Sequence, residues 1–380
     1  MLIGVDASRV TRQRRTGTEN YSLHVLRRLL IQDQRNSYRL YLREPLPAGL
    51  LPSRPGVSCR LIRLPRLWTQ LGLSAEMFKA PPDLLFVPSH VLPLVNARRS
   101  VVVVYDVGHR YFPRAHSLAE WLYVEWAIRR HVRLATELLT ISQASRRDLV
   151  RLYGADPARV TVAYPAVDES FQPAGPEAIA RVRSRYGLAA RYVLHVGTVK
   201  PRKNLPRLIQ ACARLPADVQ LVLAGMSTSG SRAVDRAIER AGMGARVRKL
   251  AYVSDEDLPG LYSGAACVAI VSLYEGFGMP ALEALACGAP VVAGSGGSLP
   301  EIVGRAGLVV DPLDVGAIAG GLRQVLLDEP LATQLRAAGP CRARVFDWAE
   351  AARITQRVLE RAGLPRRRTA PPTPLPIDPS

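Results

Sequence analysis

One pattern constrains the fold more than any other, and the chain uses it twice. Short apolar runs of strand length alternate with stretches of helical periodicity. In the first half the strand candidates are LIGVDA (2–7), YRLYL (38–42), SCRLIRL (58–64), DLLFVP (83–88), VVVVYD (101–106) and LLTIS (138–142). In the second half they are YVLHVG (192–197), VQLVLAG (219–225), RVRKLAYV (246–253), ACVAIVS (266–272) and APVVAG (289–294). Residues 19–30 and 118–134 read as amphipathic helices. Neighbouring parallel strands need a crossover between them, and a helix supplies it. The pattern therefore predicts two doubly wound parallel sheets of the Rossmann kind.

Between the two halves, YPAVDESFQPAGP (164–176) interrupts both periodicities with prolines, a glycine and acidic residues, as a linker does. The expected division is an N-terminal domain over residues 1–170 and a C-terminal domain over 176–345. A last helix, about 346–362, follows after the second sheet is complete. The proline-rich tail at 364–380 is expected to be disordered. Two such sheets enclose a cleft, and ligands bind outside the carboxyl ends of the strands.

Composition narrows the class. The chain has 380 residues, 48% hydrophobic and 22% charged, enough for two globular cores. No run reaches the roughly 18 apolar residues of a spanning helix. MLIGVDASRV reads as a buried strand rather than a signal peptide, so a cytoplasmic location is expected. The cysteines at 59, 212, 267, 287 and 341 are scattered, without the spacing of a zinc site or a disulfide framework. No metal site is expected. The formal net charge is +19, almost all from arginine, since Lys79, Lys200, Lys203 and Lys249 are the only lysines. Arginine usage alone accounts for such a balance; an anionic partner is the sharper reading. RRLLIQDQR and RLIRLPRLW would suit an acidic membrane surface, met peripherally at its inner face. No nucleic-acid-binding module is present, so nucleic acid is not an expected partner.

Three strand-to-helix junctions carry chemistry. GTVKPRKN (197–204) crowds Lys200, Arg202 and Lys203 before a helix N-terminus, with Asn204 as a candidate cap. Cations there oppose the helix dipole, and a bound phosphate would reverse that sign. TGTENYS (16–22) is a glycine turn in which Gly17 would admit a ligand close to the backbone. EGFGMPALE (275–283) follows a buried strand. Glu275 falls on its loop, Gly276 and Gly278 leave backbone N–H groups open, and Pro280 suits a first helical turn, as does Glu283. Gly288 closes that helix. Singly, each of these also has a bland reading: a basic loop, a glycine turn, a solvated carboxylate and a dipole-stabilising glutamate.

Together these segments resemble a known family. EGFGMPALEALACGAPVVAGSGGSLPEIVG is similar to the E-x7-E segment of family 4 retaining nucleotide-sugar glycosyltransferases, which have the GT-B fold. GTVKPRKNLPRLIQA, AYVSDEDLPGLYSGA and AGLVVDPLDVGAIAGGL occur around it in the family's order. TISQASRRDLVRLYGADPARVTVAYPAVD resembles the segment closing the N-terminal domain. The likeness runs over residues 1–360 and is strongest over 137–325.

The resemblance implies transfer of a sugar from a nucleoside-diphosphate sugar to a hydroxyl of a glycan or lipid-linked acceptor, without a cofactor. It implies that Glu275 sits by the donor sugar as a positioning and electrostatic group, and that Glu283 accepts from the ribose. Arg202 and Lys203 would hold the diphosphate, and the backbone of Gly276, Phe277, Gly278 and Met279 would meet sugar or phosphate. Val253 and Asp255 would surround the base, Gly17 would approach the diphosphate from the opposite domain, and Asp106 would face the sugar and acceptor. The last helix would return to the N-terminal domain.

Two positions depart from the pattern. Thr198 replaces an arginine, as in a subgroup resembling mannosyltransferases, which points to GDP-mannose. Tyr105 replaces a histidine ahead of Asp106, with His109 nearby. Competing readings are a sugar-nucleotide epimerase or hydrolase on the same fold, and a non-catalytic basic binding protein.

Overall fold

The structure, a computed structural model, describes residues 1–12, 17–88, 91–226 and 231–364. Thr16 of the first glycine turn and the tail beyond Leu364 lie outside the described residues.

The first sheet is built from β1 (Leu2–Asp6), β2 (Ser37–Leu42), β3 (Val57–Leu61), β4 (Leu84–Val87), β5 (Ser100–Val104), β6 (Glu137–Thr140) and β7 (Val160–Val162). Its order is β3-β2-β1-β4-β5-β6-β7, with every pairing parallel. The second contains β8 (Tyr192–Val196), β9 (Gln220–Ala224), β10 (Val247–Leu250), β11 (Cys267–Ile270), β12 (Val291–Gly294) and β13 (Gly307–Val310). Its order is β10-β9-β8-β11-β12-β13, again all parallel. Both sheets are doubly wound. The strand order reverses between β1 and β4 in one and between β8 and β11 in the other, and each reversal opens a crevice at the carboxyl ends.

The central strands are buried along their whole length, as sheets covered by helices on both faces require. Eleven strands fall on the expected runs, with ends that differ by one to three residues. The edge strands β7 and β13 were not anticipated. Each is three or four residues long and partly exposed, so neither needs a continuous apolar run.

Residues 164–175 carry no helix or strand, and the next helix starts at Pro176. The last helix, Trp348–Gly363, lies against the helix Gly17–Gln32 of the first sheet. There Trp348 stacks on His24 at 4.8 Å, and Arg361 reaches Glu137 at 2.8 Å. That contact takes up part of RRLLIQDQR, while Ile31, Gln34 and Arg35 stay exposed. Leu29 and Leu30 are fully buried, Arg27 donates to the Leu50 carbonyl, and Arg28 pairs with Glu169. No helix among the described residues is long and apolar enough to cross a membrane.

Candidate functional site

The second sheet's crevice is lined by the two loops sequence had singled out, because β8 and β11 are neighbours at the reversal. Residues 197–204 leave β8 and residues 271–278 leave β11, so segments some 70 positions apart meet side by side. Their meeting point is Glu275. Arg202 donates to its Oε2 at 2.5 Å, Lys203 to its Oε1 at 2.6 Å, and the Ser272 hydroxyl to Oε1 at 2.6 Å. Glu275 is only 4% exposed and Lys203 only 5%. Burial alone would raise the Glu275 carboxyl; the two cations and the hydrogen bonds outweigh it and hold the group down at about 2. Glu275 is thus a buried anion in a cationic clamp, not the solvated loop carboxylate its position suggested.

The loop is braced from behind by GSGGS (294–298). The Ser298 hydroxyl donates to the Phe277 carbonyl at 2.6 Å, and its N–H to the Glu275 carbonyl at 3.0 Å. A Cβ on Gly297 would fall 2.2 Å from the Glu275 carbonyl oxygen, so only glycine permits this approach. Asn204 does not cap its helix through its side chain. Its amide donates instead to the Val271 and Pro312 carbonyls, tying the two loops together.

Glu283 requires a second correction. The helix spans Met279–Ala286, so Glu283 lies in its second turn and not the first, beyond the reach of the dipole explanation. Its carboxyl faces the crevice, accepts from the Tyr262 hydroxyl at 2.7 Å, and is pushed up by burial to about 7. Asp255, exposed on the loop after β10, raises it further. Val253 is buried close by in sequence, and neither Val253 nor Asp255 lines the central cavity.

That cavity, of about 460 Å³, lies between the sheets. From the second sheet it takes Arg202, Lys203, Glu275, Gly276, Phe277, Gly278, Met279 and Glu283; from the first, Gly17, Tyr105 and Asp106. Of the expected site residues only Val253 and Asp255 stand outside it. Gly17 opens its helix, and an added Cβ there would meet nothing, so that position tolerates a side chain sterically. Tyr105 donates to the Pro88 carbonyl at 2.5 Å. His109 does not substitute for the missing histidine. It is buried away from the cavity, 3.1 Å from Glu125 and 3.0 Å from the Tyr153 hydroxyl.

The domains touch at the cavity rim through residues not foreseen from sequence. The Tyr274 hydroxyl donates to Asp148 at 3.0 Å, and its ring stacks on Tyr111 at 4.6 Å. Glu301 accepts from the backbone N–H groups of Gln143 and Ala144 at 3.1 and 3.2 Å, at a helix N-terminus of the first domain. Gly276 passes so close to Asp106 that a Cβ would lie 2.6 Å from that residue's own Cβ. The one sequence signal for Ser272 is a polar residue ending an otherwise apolar strand run. Tyr274 and Glu301 carry none. Among the described residues no three His, Cys, Asp or Glu side chains cluster as metal ligands.

Two doubly wound sheets facing across such a cavity form the GT-B fold. Comparison with known proteins agrees. Residues 18–171 match the family described as Glycosyltransferase Family 4, and residues 181–342 match Glycosyl transferases group 1. The chain is 36% identical over 266 residues to the O-antigen chain mannosyltransferase B of Escherichia coli, covering 69% of this chain and 70% of that one. It is 37% identical over 223 residues to a D-inositol 3-phosphate glycosyltransferase of Mycolicibacterium smegmatis, of which it spans half (57% of this chain, 50% of that one). Among solved structures it resembles sucrose-phosphate synthase from Thermosynechococcus elongatus, with a TM-score of 0.74 and 22% identity over 95% of this chain and 98% of that one. Anabaena HepE in complex with UDP and glucose gives a TM-score of 0.71 at 22% identity, with the same coverage. The protein belongs to the family 4 glycosyltransferases.

Proposed function

We propose that the chain transfers a sugar, with retention of configuration, from a nucleoside-diphosphate sugar to a hydroxyl of a glycan or lipid-linked acceptor. GDP-mannose is the first donor to try, given Thr198 and the mannosyltransferase relative. The observation that carries the reading is the clamp of Arg202 and Lys203 on Glu275, at the strand reversal of the second sheet and open to the shared cavity.

In this reading the two cations meet the diphosphate and offset charge developing on the leaving group. Lys203 Nζ and Arg202 Nη1 already hold Glu275, so phosphate would share them with that carboxylate. Both carboxylate oxygens of Glu275 accept strong hydrogen bonds, which lowers its nucleophilicity. That supports a positioning and electrostatic role beside the sugar. Glu283, on the helix that follows the Glu275 loop, accepts from the ribose hydroxyls, and the loop after β10 that holds Val253 and Asp255 flanks the base. Gly276 to Met279 present backbone N–H groups to the sugar. Asp106 and Gly17 approach from the first sheet, which takes the acceptor. The donor is a substrate, and this chemistry calls for no cofactor.

The test is a panel of sugar nucleotides, read first as a rise in melting temperature and then as transfer to generic acceptors. Transfer, rather than release of free sugar or an epimer, is the expected outcome. If no sugar nucleotide binds, and Lys203→Ala alters neither binding nor turnover, the proposal fails.

A further inference from the structure

The helix Leu118–Leu134 inverts the usual arrangement of a surface helix. Its buried face holds Glu125, Ala127, Ile128 and His131. Leu118, Leu122 and Trp126 recur at fourfold spacing on the opposite face, 74%, 53% and 41% exposed, with Tyr123 beside them at 49%. Arg129 and Arg133 continue the same stripe toward the C-terminus, and the Arg130 guanidinium lies 5.7 Å over the Trp126 ring. Of the helix's two acidic residues only Glu120, at its N-terminal turn and away from the arginine end, is exposed. Glu120 is engaged in the capping box with Ser117, and Glu125 is buried against His109, Tyr153 and Arg129.

At its basic end the stripe runs into a cavity of about 430 Å³. Arg98, Arg99, Arg133 and Arg159 line it, and no acidic side chain does. Exposed Leu94 extends the apolar part, since Arg130 donates to the carbonyls of Pro93 and Leu94.

We propose that this face docks on an anionic lipid bilayer. A bilayer interface accepts both parts at once: leucine and aromatic rings at the acyl boundary, arginines at the phosphates. A second copy of the chain would match the apolar part but has no acidic counterpart on this face for the arginines. The helix starts after the β5 loop that carries Asp106 and the short helix Gly108–Tyr111, and the Trp121 indole donates to the His109 carbonyl at 3.1 Å. The N-terminal end of the helix thus lies toward the cleft rim, and its arginine end toward the amino ends of β5 and β6. Only the link to a lipid-linked acceptor rests on the proposed function; vesicle binding tests the surface without turnover.

The experiment is flotation of the full chain with phosphatidylcholine vesicles, with and without about a third phosphatidylglycerol. The wild type is expected to float with the anionic vesicles only, and its tryptophan emission to shift to the blue. Leu122→Ser with Trp126→Ser should lower partitioning at least roughly tenfold. Arg98→Gln with Arg133→Gln should lower it by roughly 25-fold, about fivefold per arginine. Arg232→Gln with Arg236→Gln, exposed positions of the other domain, should change little. All four positions in the two test variants face solvent or line an open cavity, and the wild-type emission shift reads docking independently of any variant.

Absence of flotation overturns the proposal. So does equal loss from the control pair, which would reveal attraction by the overall +19 charge alone. A wild-type dimer that the Leu122→Ser and Trp126→Ser variant converts to monomer in sedimentation assigns the face to a second copy and also overturns it.

Discussion

Replacing Glu275 by glutamine keeps its size and removes its charge, which leaves Lys203 buried without its counter-ion. The folded carboxyl lies at about 2 against an ordinary 4.5, a difference worth about 3 kcal/mol. Removing one partner of a buried pair costs a similar amount, roughly 3–5 kcal/mol. Glu275→Gln is therefore expected to lose about 3 kcal/mol at pH 7. A depressed carboxyl stabilises the fold above its unfolded value near 4.5, and that contribution fades as pH falls toward 2. The deficit of the variant should shrink over the same window. Lys203→Met alone leaves Glu275 with Arg202 and Ser272 and should cost about 2 kcal/mol. The double variant removes both charges, and its loss should fall short of the sum by at least ~1.5 kcal/mol. Urea unfolding followed by circular dichroism, at pH 7 and again near pH 4, measures all four chains. A Glu275→Gln chain within ~0.5 kcal/mol of wild type at pH 7, or an additive cycle, would refute the buried clamp.

Three further expectations concern the same cavity. Burial raises Glu283 to about 7, so the folded state holds a proton the unfolded chain loses near 4.5; stability declines across that interval, and Glu283→Gln should gain on wild type by about 2–3 kcal/mol between pH 5 and 8 in urea melts. Gly276→Ala places a Cβ against Asp106, so scattering should show a larger radius of gyration, and turnover should fall by ~10-fold or more with nucleotide affinity nearly unchanged. An unaltered radius and rate would show that the close approach is not required. His109→Phe strips Glu125 of one partner and should cost about 2–3 kcal/mol in urea, while calorimetric nucleotide binding stays at the wild-type level; lost binding would place His109 in the site after all.

Much of the architecture was legible because it rests on local signals. Apolar runs such as VVVVYD and ACVAIVS stand at fixed intervals, and glycines and prolines punctuate them. The misses share a cause. β7 and β13 lie at sheet edges, where partial exposure removes the apolar signature. Glu283 was placed in the first turn because Pro280 fixes a helix start only to within a residue or two. RRLLIQDQR reads as one basic stretch in sequence, whereas the helix Trp348–Gly363 that packs on part of it arrives more than 300 residues later.

The chain's own order of residues determined that two parallel α/β units would form and that a basic and an acidic loop would follow the first and fourth strands of the second. Strand periodicity and turn chemistry act over a few residues, so they can be read along a line. Tertiary structure alone decided that Lys203 and Glu275, 72 positions apart, would neutralise each other in a buried pair. It also turned His109 inward, bridged the domains through Tyr274 and Asp148, and left leucines and a tryptophan of the Leu118–Leu134 helix facing water. Each of these depends on which strands become neighbours and on how the two sheets face one another. Charge and burial at a residue are set by what packs against it, and that partner is seldom nearby in sequence.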